Sequence, residues 1–316
     1  MISYIAKRLL TVVPIILFAI FLMFSLIRLS PVDPAEAYLA AAHIHPTEEM
    51  LAEKRQEFGL NQSLIVQYFQ TVKQIVQLDF GNSYVTGTPV WEEVATRMPA
   101  TIQLAVSSIL LAAVISIPLG FLSAIYKNSP IDHFSRFLSF LGASLPQFWL
   151  GYILMFFFSV KLDLFPVEGR GSWQHFVLPS ITLSLALIAI YTRLLRASVL
   201  EELEEAYVVY GRTRGIKERV ILTKHVLRIA ISPMLTGLGM NFGKLLTGTI
   251  IVEQVFSWPG FGRFFIEAIF NRDIPVIQCY VVLAACLFIV CNLIVDILQL
   301  YIDPRISRKG RQNIDF

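Results

Sequence analysis

The chain has 316 residues, 55% of them hydrophobic and 16% charged, with a mean hydropathy of +0.64 and a formal net charge of +3. Soluble globular domains carry about 25% charged residues, so this deficit excludes an ordinary soluble domain and places the chain in the membrane class. The small net charge implies no nucleic-acid partner, and the three cysteines, Cys279, Cys286 and Cys291, fall in one apolar run and form no disulfide framework.

Six apolar runs are long enough to span a bilayer, at 9–27, 101–126, 137–160, 177–194, 229–252 and 279–301. A spanning helix needs about 20 residues to cross a hydrocarbon core of about 30 Å. The first run follows Lys7 and Arg8, but its apolar core is too long for a signal peptide and no small-x-small cleavage site follows it. It is expected to be a retained span. With the N-terminus inside, the inner segments hold sixteen Lys and Arg and the outer ones nine, while Lys244 lies within a span. The positive-inside rule then puts both termini in the cytoplasm.

The first outer segment, 31–100, is too long for a simple loop and is acidic. Thr47 reads as an N-cap with Glu48 and Glu49 in the first turn, and Gly59 as the stop. A second helix is expected from just after Asn61 to about Leu78, and a third from Pro89 that ends before Pro99. This cap could receive a soluble delivery protein or simply close the outer mouth.

The stretch 193–228 is polar and basic between two apolar runs. It keeps helical periodicity at Val199, Leu203, Ala206/Tyr207 and Tyr210, and again at Ile216, Val220, Thr223 and Leu227. Two short amphipathic cytoplasmic helices are expected, with a break near Gly211 to Gly215 where glycine permits a left-handed turn. Such ordered helices suit a docking element for a soluble partner better than a plain connection.

In the fifth run, Gly239 and Gly243 form G-x-x-x-G, a pattern for close helix packing. Lys244, in the outer half of that run, either snorkels outward or faces a pore. Pro259, Gly260 and Gly262, among several aromatic residues, suit an interfacial or re-entrant hairpin.

No G-x-x-x-x-G-K-[ST], H-E-x-x-H or G-x-S-x-G occurs, so no enzyme is expected and any energy must come from a partner or a gradient. Metal-ligand candidates are His43, His45, His175 and Cys279. Imidazole suits nickel, whereas buried thiols usually behave as small hydrophobes.

The chain resembles, over nearly its whole length, the inner-membrane permeases of the peptide/nickel family of ABC importers. The motifs that carry this are Glu205-Ala-Tyr-Val-x-x-Gly-Arg-Thr-Arg-Gly215, His225-Val-Leu-Arg228, Asp79-Phe-Gly-x-Ser83, Ser144-Leu-Pro146, Arg193-x-x-Arg196, Trp258-Pro-Gly-Phe-Gly262, Arg272-Asp-x-Pro-Val-Ile-Gln278 and Asp303-Pro-Arg305. Gly171-Ser-Trp-Gln-His175, Ile269-Phe-Asn-Arg-Asp273 and Cys279 make it most similar to the first nickel-importer permease.

The resemblance implies an all-α, type I importer permease fold with about six transmembrane helices in a bacterial inner membrane. It divides as a first transmembrane helix at 1–30, the extracytoplasmic segment 31–100, a five-helix core at 101–302 with the coupling loop 193–228, and a cytoplasmic tail at 303–316. It implies a second permease subunit, two ABC ATPase subunits and an extracytoplasmic substrate-binding protein as partners. The cargo would be nickel or a nickel chelate, moved by alternating access, or alternatively a di- or oligopeptide. Glu205, Ala206, Tyr207, Gly211, Arg212, Arg214 and Gly215 would carry coupling to an ATPase. Ser144, Pro146, Asn241 and Lys244 would line the pore, and no cofactor is expected.

Overall fold

The computed structural model describes residues 2–42 and 44–302, with side chains described for 10–42 and 44–297. His43 and the tail 303–316, with its Asp303-Pro-Arg305 motif, lie outside the described residues. The described chain is helical, with one isolated antiparallel bridge between Asn82 and Pro89. By contacts it forms two compact units.

One unit comprises Met1–Thr101, Leu246–Ile250 and Pro259–Val290. Its chain opens with α1 (Ile2–Leu29), α2 (Pro34–Ala41), α3 (Glu48–Glu57) and α4 (Leu64–Val76). Thr47 caps α3 as its sequence suggests, accepting from the Met50 N–H at 3.3 Å, and Gly59 follows the helix at φ +65°. The short α2 has no apolar period long enough to reveal it. It starts because Asp33 accepts from the Ala35 N–H at 2.9 Å and Pro34 fixes the first helical φ. Ile20, Met23, Ile75, Phe80, Phe261 and Val276 share this unit's apolar core.

Helix α5 (Val90–Ile125) runs 36 residues without interruption. Its expected end before Pro99 is therefore a correction. Proline removes one helical hydrogen bond, but the buried Val94 and Ala100 pack on either side of it and the helix carries on.

The second unit comprises Ile102–Leu245, Ile251–Trp258 and Cys291–Phe316. It contains α6 (Pro130–Ser144), α7 (Gln147–Leu154, continued as a π-helical stretch over Met155–Lys161) and α8 (Gln174–Leu203). The third apolar run is not one straight helix: its two halves meet at 109°. Leu145 and Pro146 are both extended there, as a residue before proline must tend to be. Helix α8 passes through Pro179 and its hydroxyl residues. Thr182 Oγ1 donates to the Leu178 carbonyl at 2.8 Å and Ser107 Oγ bonds Ser180 Oγ at 2.7 Å, so these hydroxyls are satisfied inside.

Beyond α8 come α9 (Ala206–Thr213), α10 (Glu218–Val220), a π-helical turn (Ile221–Val226) and α11 (Leu227–Ala230). The remaining helices are α12 (Ser232–Gly248), α13 (Ile250–Val255), α14 (Phe261–Phe270) and α15 (Ile274–Ile302). Among the described residues four helices pass as spans by length and composition, or five if the bent pair counts as one. The fifth apolar run is divided around Ile231 and Thr249, which leaves α12 at 17 residues.

Candidate functional site

The candidate site lies at the inner end of α8 and the helices that follow it. The periodic run from Val199 to Tyr210 is not one helix. Helix α8 closes at Glu204, whose N–H bonds back to the Glu201 carbonyl, and α9 starts after an extended Glu205. Tyr207 OH donates to Glu202 Oε2 at 2.7 Å and ties the two helices together. Partial burial beside that carboxylate raises the Tyr207 hydroxyl above its usual range, so it stays a donor at neutral pH.

The break after α9 is the one the glycine spacing predicts. Gly215 has φ +72°, and nothing lies within 4 Å of where its Cβ would be. Glycine stands there for its backbone freedom, not for lack of space. The Gly215 N–H donates to the Arg212 carbonyl at 3.0 Å and the Ile216 N–H to the Gly211 carbonyl at 3.1 Å. These are the two bonds of a Schellman ending. Gly211 is a glycine for a different reason: its Cβ would meet Ile221 Cδ1 at 3.3 Å, so it lets the second arm approach α9.

Arg212 spans the turn and donates to both carboxylate oxygens of Glu218, from Nη2 at 2.6 Å and from Nε at 3.1 Å. Arg214 stacks over the Tyr210 ring at 4.8 Å. Val208 and Val226 point inward and are fully buried. Glu205, Ala206, Arg212, Arg214 and Gly215 are exposed, and so are the apolar Val209, Tyr210 and Ile216. The result is an ordered elbow with an apolar and basic outer face. Exposed apolar groups bordered by charge are the usual composition of a contact patch.

Helix α8, which leads into the elbow, is tied to α6 by a buried carboxylate that no sequence motif singles out. Asp132, near the start of α6, is fully buried. It accepts from Arg196 Nε at 2.7 Å and Nη2 at 3.0 Å, from the Asn128 N–H at 2.9 Å, and from Arg136. Arg196 stands out in sequence only as one end of Arg193-x-x-Arg196. Higher along the same pair of helices, Gly142 lies so close to α8 that a Cβ would sit 2.7 Å from the Leu185 carbonyl oxygen.

Of the four proposed pore residues, Ser144 and Pro146 are exposed at the bend between α6 and α7. Asn241 instead directs its amide to the buried Tyr191 hydroxyl and to the Gly237 carbonyl at 3.2 Å. Lys244 is exposed. Gly239 does allow a close approach, to Val295 of α15, and Gly237 allows another, to the Tyr191 ring.

Three of the four metal candidates lie among the described residues. Cys279 is buried in the apolar core, His45 is exposed, and His175 Nδ1 is engaged by the Ser172 hydroxyl at 3.0 Å. Among the described residues no three His, Cys, Asp or Glu side chains are grouped to hold a metal. A polar pairing that the sequence left as two separate motifs appears within the first unit: Ser83 Oγ donates to Asp273 Oδ2 at 2.5 Å, and the Tyr84 N–H to Oδ1 at 3.1 Å.

Long apolar helices joined through an ordered helical elbow define a polytopic membrane protein. Residues 116–308 match the family described as the binding-protein-dependent transport system inner membrane component, and residues 1–105 match its N-terminal region. The chain belongs to that family, and is a permease subunit of an ABC importer in the bacterial inner membrane. It is 39% identical over 309 residues to the glutathione transport system permease protein GsiC of Salmonella typhimurium (strain LT2), covering 98% of this chain and 100% of that one. The GsiC protein of Escherichia coli (strain K12) is 38% identical over the same length, with the same coverage. In fold the chain is similar to one from the MetNI methionine ABC transporter, solved in inward-facing conformations. That match has a TM-score of 0.55 and 15% identity, over 66% of this chain and 96% of the other.

Proposed function

We propose that this permease imports a small peptide-like solute, pairing with a second permease subunit above two ABC ATPases and receiving its cargo from an extracytoplasmic binding protein. The observation that carries the cargo class is the 39% identity, over 98% of this chain, to permeases named for glutathione transport. Nickel, the cargo expected from the sequence, ranks behind it. Among the described residues no three His, Cys, Asp or Glu side chains are grouped to hold a metal, and a chelated metal would need none of them.

The elbow at Gly215 is read as the contact with an ATPase. Its exposed face would meet the partner, and its buried face would pass the motion to α8. The transmission would run through covalent continuity at Glu204, the Tyr207–Glu202 bond and the packing of the 218–230 arm on α8. Asp132 and Arg196 would carry the same displacement across to α6 and so to the bend at Ser144 and Pro146. Rigid, ion-paired helices suit alternating access, because a packed interface switches between discrete arrangements rather than deforming smoothly.

The deciding experiment is uptake by cells with and without the chain, using labelled glutathione, a labelled dipeptide and radioactive nickel. Loss of glutathione or dipeptide uptake with unchanged nickel uptake is the expected result. Loss of nickel uptake alone overturns the cargo assignment and returns attention to His43, His45, His175 and Cys279.

A further inference from the structure

Arg28 closes the first transmembrane helix and sits between two unlike hollows. On one side is a polar hollow of about 340 Å³, bordered by Ser30, Asp33, Arg55 and Asn61. On the other is an apolar groove of about 500 Å³ between α1 and α4, lined by Phe21, Phe24, Leu64, Ile65, Tyr68 and Phe69. Arg28 lines both.

Three observations make the pair of hollows a built feature. Arg28 stacks on Phe24 at 5.4 Å, yet its Nε is buried with no hydrogen-bond partner. A buried donor left unmade is costly, so such a group calls for an acceptor. The nearby Asp33 is already paired with Arg55 at 2.7 Å, which leaves the Arg28 charge in excess in the polar hollow. The apolar groove has a fixed floor. Tyr68 OH donates to the Leu17 carbonyl at 3.2 Å, and the Tyr68 ring packs edge-on against Phe21 and Phe24. Along its rim Ile65 and Phe69 are 70% and 66% exposed.

We infer that this is a binding site for an anionic phospholipid, its phosphate on Arg28 in the polar hollow and an acyl chain in the groove between α1 and α4. An amphiphile is the one chemical class that satisfies both hollows at once. Arginine is the side chain best matched to a phosphate, which it can grip with two parallel N–H bonds. With the N-terminus inside, Arg28 lies at the outer face, so the lipid belongs to the outer leaflet. Helix α4 then rests in the interface, its apolar side toward acyl chains.

The test uses the full chain purified in the assembly it forms in the membrane, with palmitoyl-oleoyl phosphatidylglycerol as probe. Native mass spectrometry should show a retained lipid that Arg28→Gln binds about tenfold more weakly, the ratio for one charge-assisted hydrogen bond. Ile65→Ser in the groove should weaken it as well, and Lys73→Gln, on the same helix but outside the groove, should not. Arg28→Lys keeps a charge and should retain partial binding, which separates lost recognition from lost folding. Inorganic phosphate alone should not raise the thermal midpoint. Equal lipid retention by wild type and Arg28→Gln overturns the inference. So does stabilisation by phosphate alone, or a disulfide from a cysteine placed at Ile65 to the second permease, since protein would then fill the groove.

Discussion

Asp132 and Arg196 lie 64 residues apart in sequence and join as a two-bonded ion pair, at 2.7 and 3.0 Å, around a carboxylate with no exposed surface. The pair ties the start of α6 to the inner end of α8. Removing Asp132 leaves Arg196 without its carboxylate, whereas removing Arg196 leaves Asp132 still held by Arg136 and the Asn128 N–H. Asp132→Ala should therefore destabilise the chain by about 3 kcal/mol. Thermal unfolding in detergent of Asp132→Asn, Arg196→Gln and the double variant should give a coupling energy above about 1 kcal/mol. Additive single effects would mean that the pair does not act as a unit.

Gly215 tests the elbow itself. A side chain at φ +72° costs about 1–2 kcal/mol, and a β-branched one more, whereas asparagine tolerates that region. Gly215→Val should insert into the membrane but fail to co-purify with ATPase subunits. Gly215→Asn should keep both assembly and uptake. Normal assembly and uptake in Gly215→Val would overturn the docking role.

Gly211 should behave differently, because its limit is space. The Ile221 Cδ1 that a new Cβ would meet is the free end of a side chain and can yield by a few tenths of an ångström. Gly211→Ala should change stability by less than about 1 kcal/mol, while Gly211→Leu should cost about 1–3 kcal/mol through overpacking. Both are measurable as shifts in thermal midpoint.

Glu218 gives the turn a pH dependence. Its hydrogen bond to Arg212 holds the carboxyl below the usual carboxylate range. The folded value is thus lower than the unfolded one, near 4.3. The pair's stabilisation is present above the unfolded value and disappears as pH falls through the folded one. Hydrogen exchange over 211–218 should accelerate below about pH 4, and Glu218→Gln should remove that dependence. The pair is exposed, so its contribution is under about 1 kcal/mol and should fade in high salt.

Asp273 accepts two hydrogen bonds, from Ser83 and from the Tyr84 N–H, and is 2% exposed. Asp273→Ala strands both donors and should cost about 2–3 kcal/mol. Ser83→Ala removes only one of them and should cost less, as separate thermal midpoints would show.

Much of the elbow was legible because its rules are local. A glycine that must turn left-handed and apolar groups at helical spacing are properties of a few consecutive residues, as is the N-capping of α3 by Thr47 elsewhere in the chain. The membrane class and orientation follow from composition and the placement of Lys and Arg, which need no folding to be counted. The missed features have equally physical reasons. The joint at Glu204 interrupts an unbroken helical period, so periodicity could not reveal it. Pro99 looked like a stop because proline costs a helical hydrogen bond, and the packing of Val94 and Ala100 that carries the helix past it is tertiary.

The sequence by itself determined that the chain is helical and membrane-spanning, which way it faces, and where a glycine must turn it. Those follow from burying apolar side chains in lipid and from backbone sterics, both written residue by residue. Only the tertiary structure decided that Asp132 meets Arg196, that Ser83 meets Asp273, and that Arg28 is left with a buried donor unmatched. Each depends on which helices come to lie side by side. That is fixed by close approaches such as Gly142 on α8, and no spacing along a single strand of sequence records them.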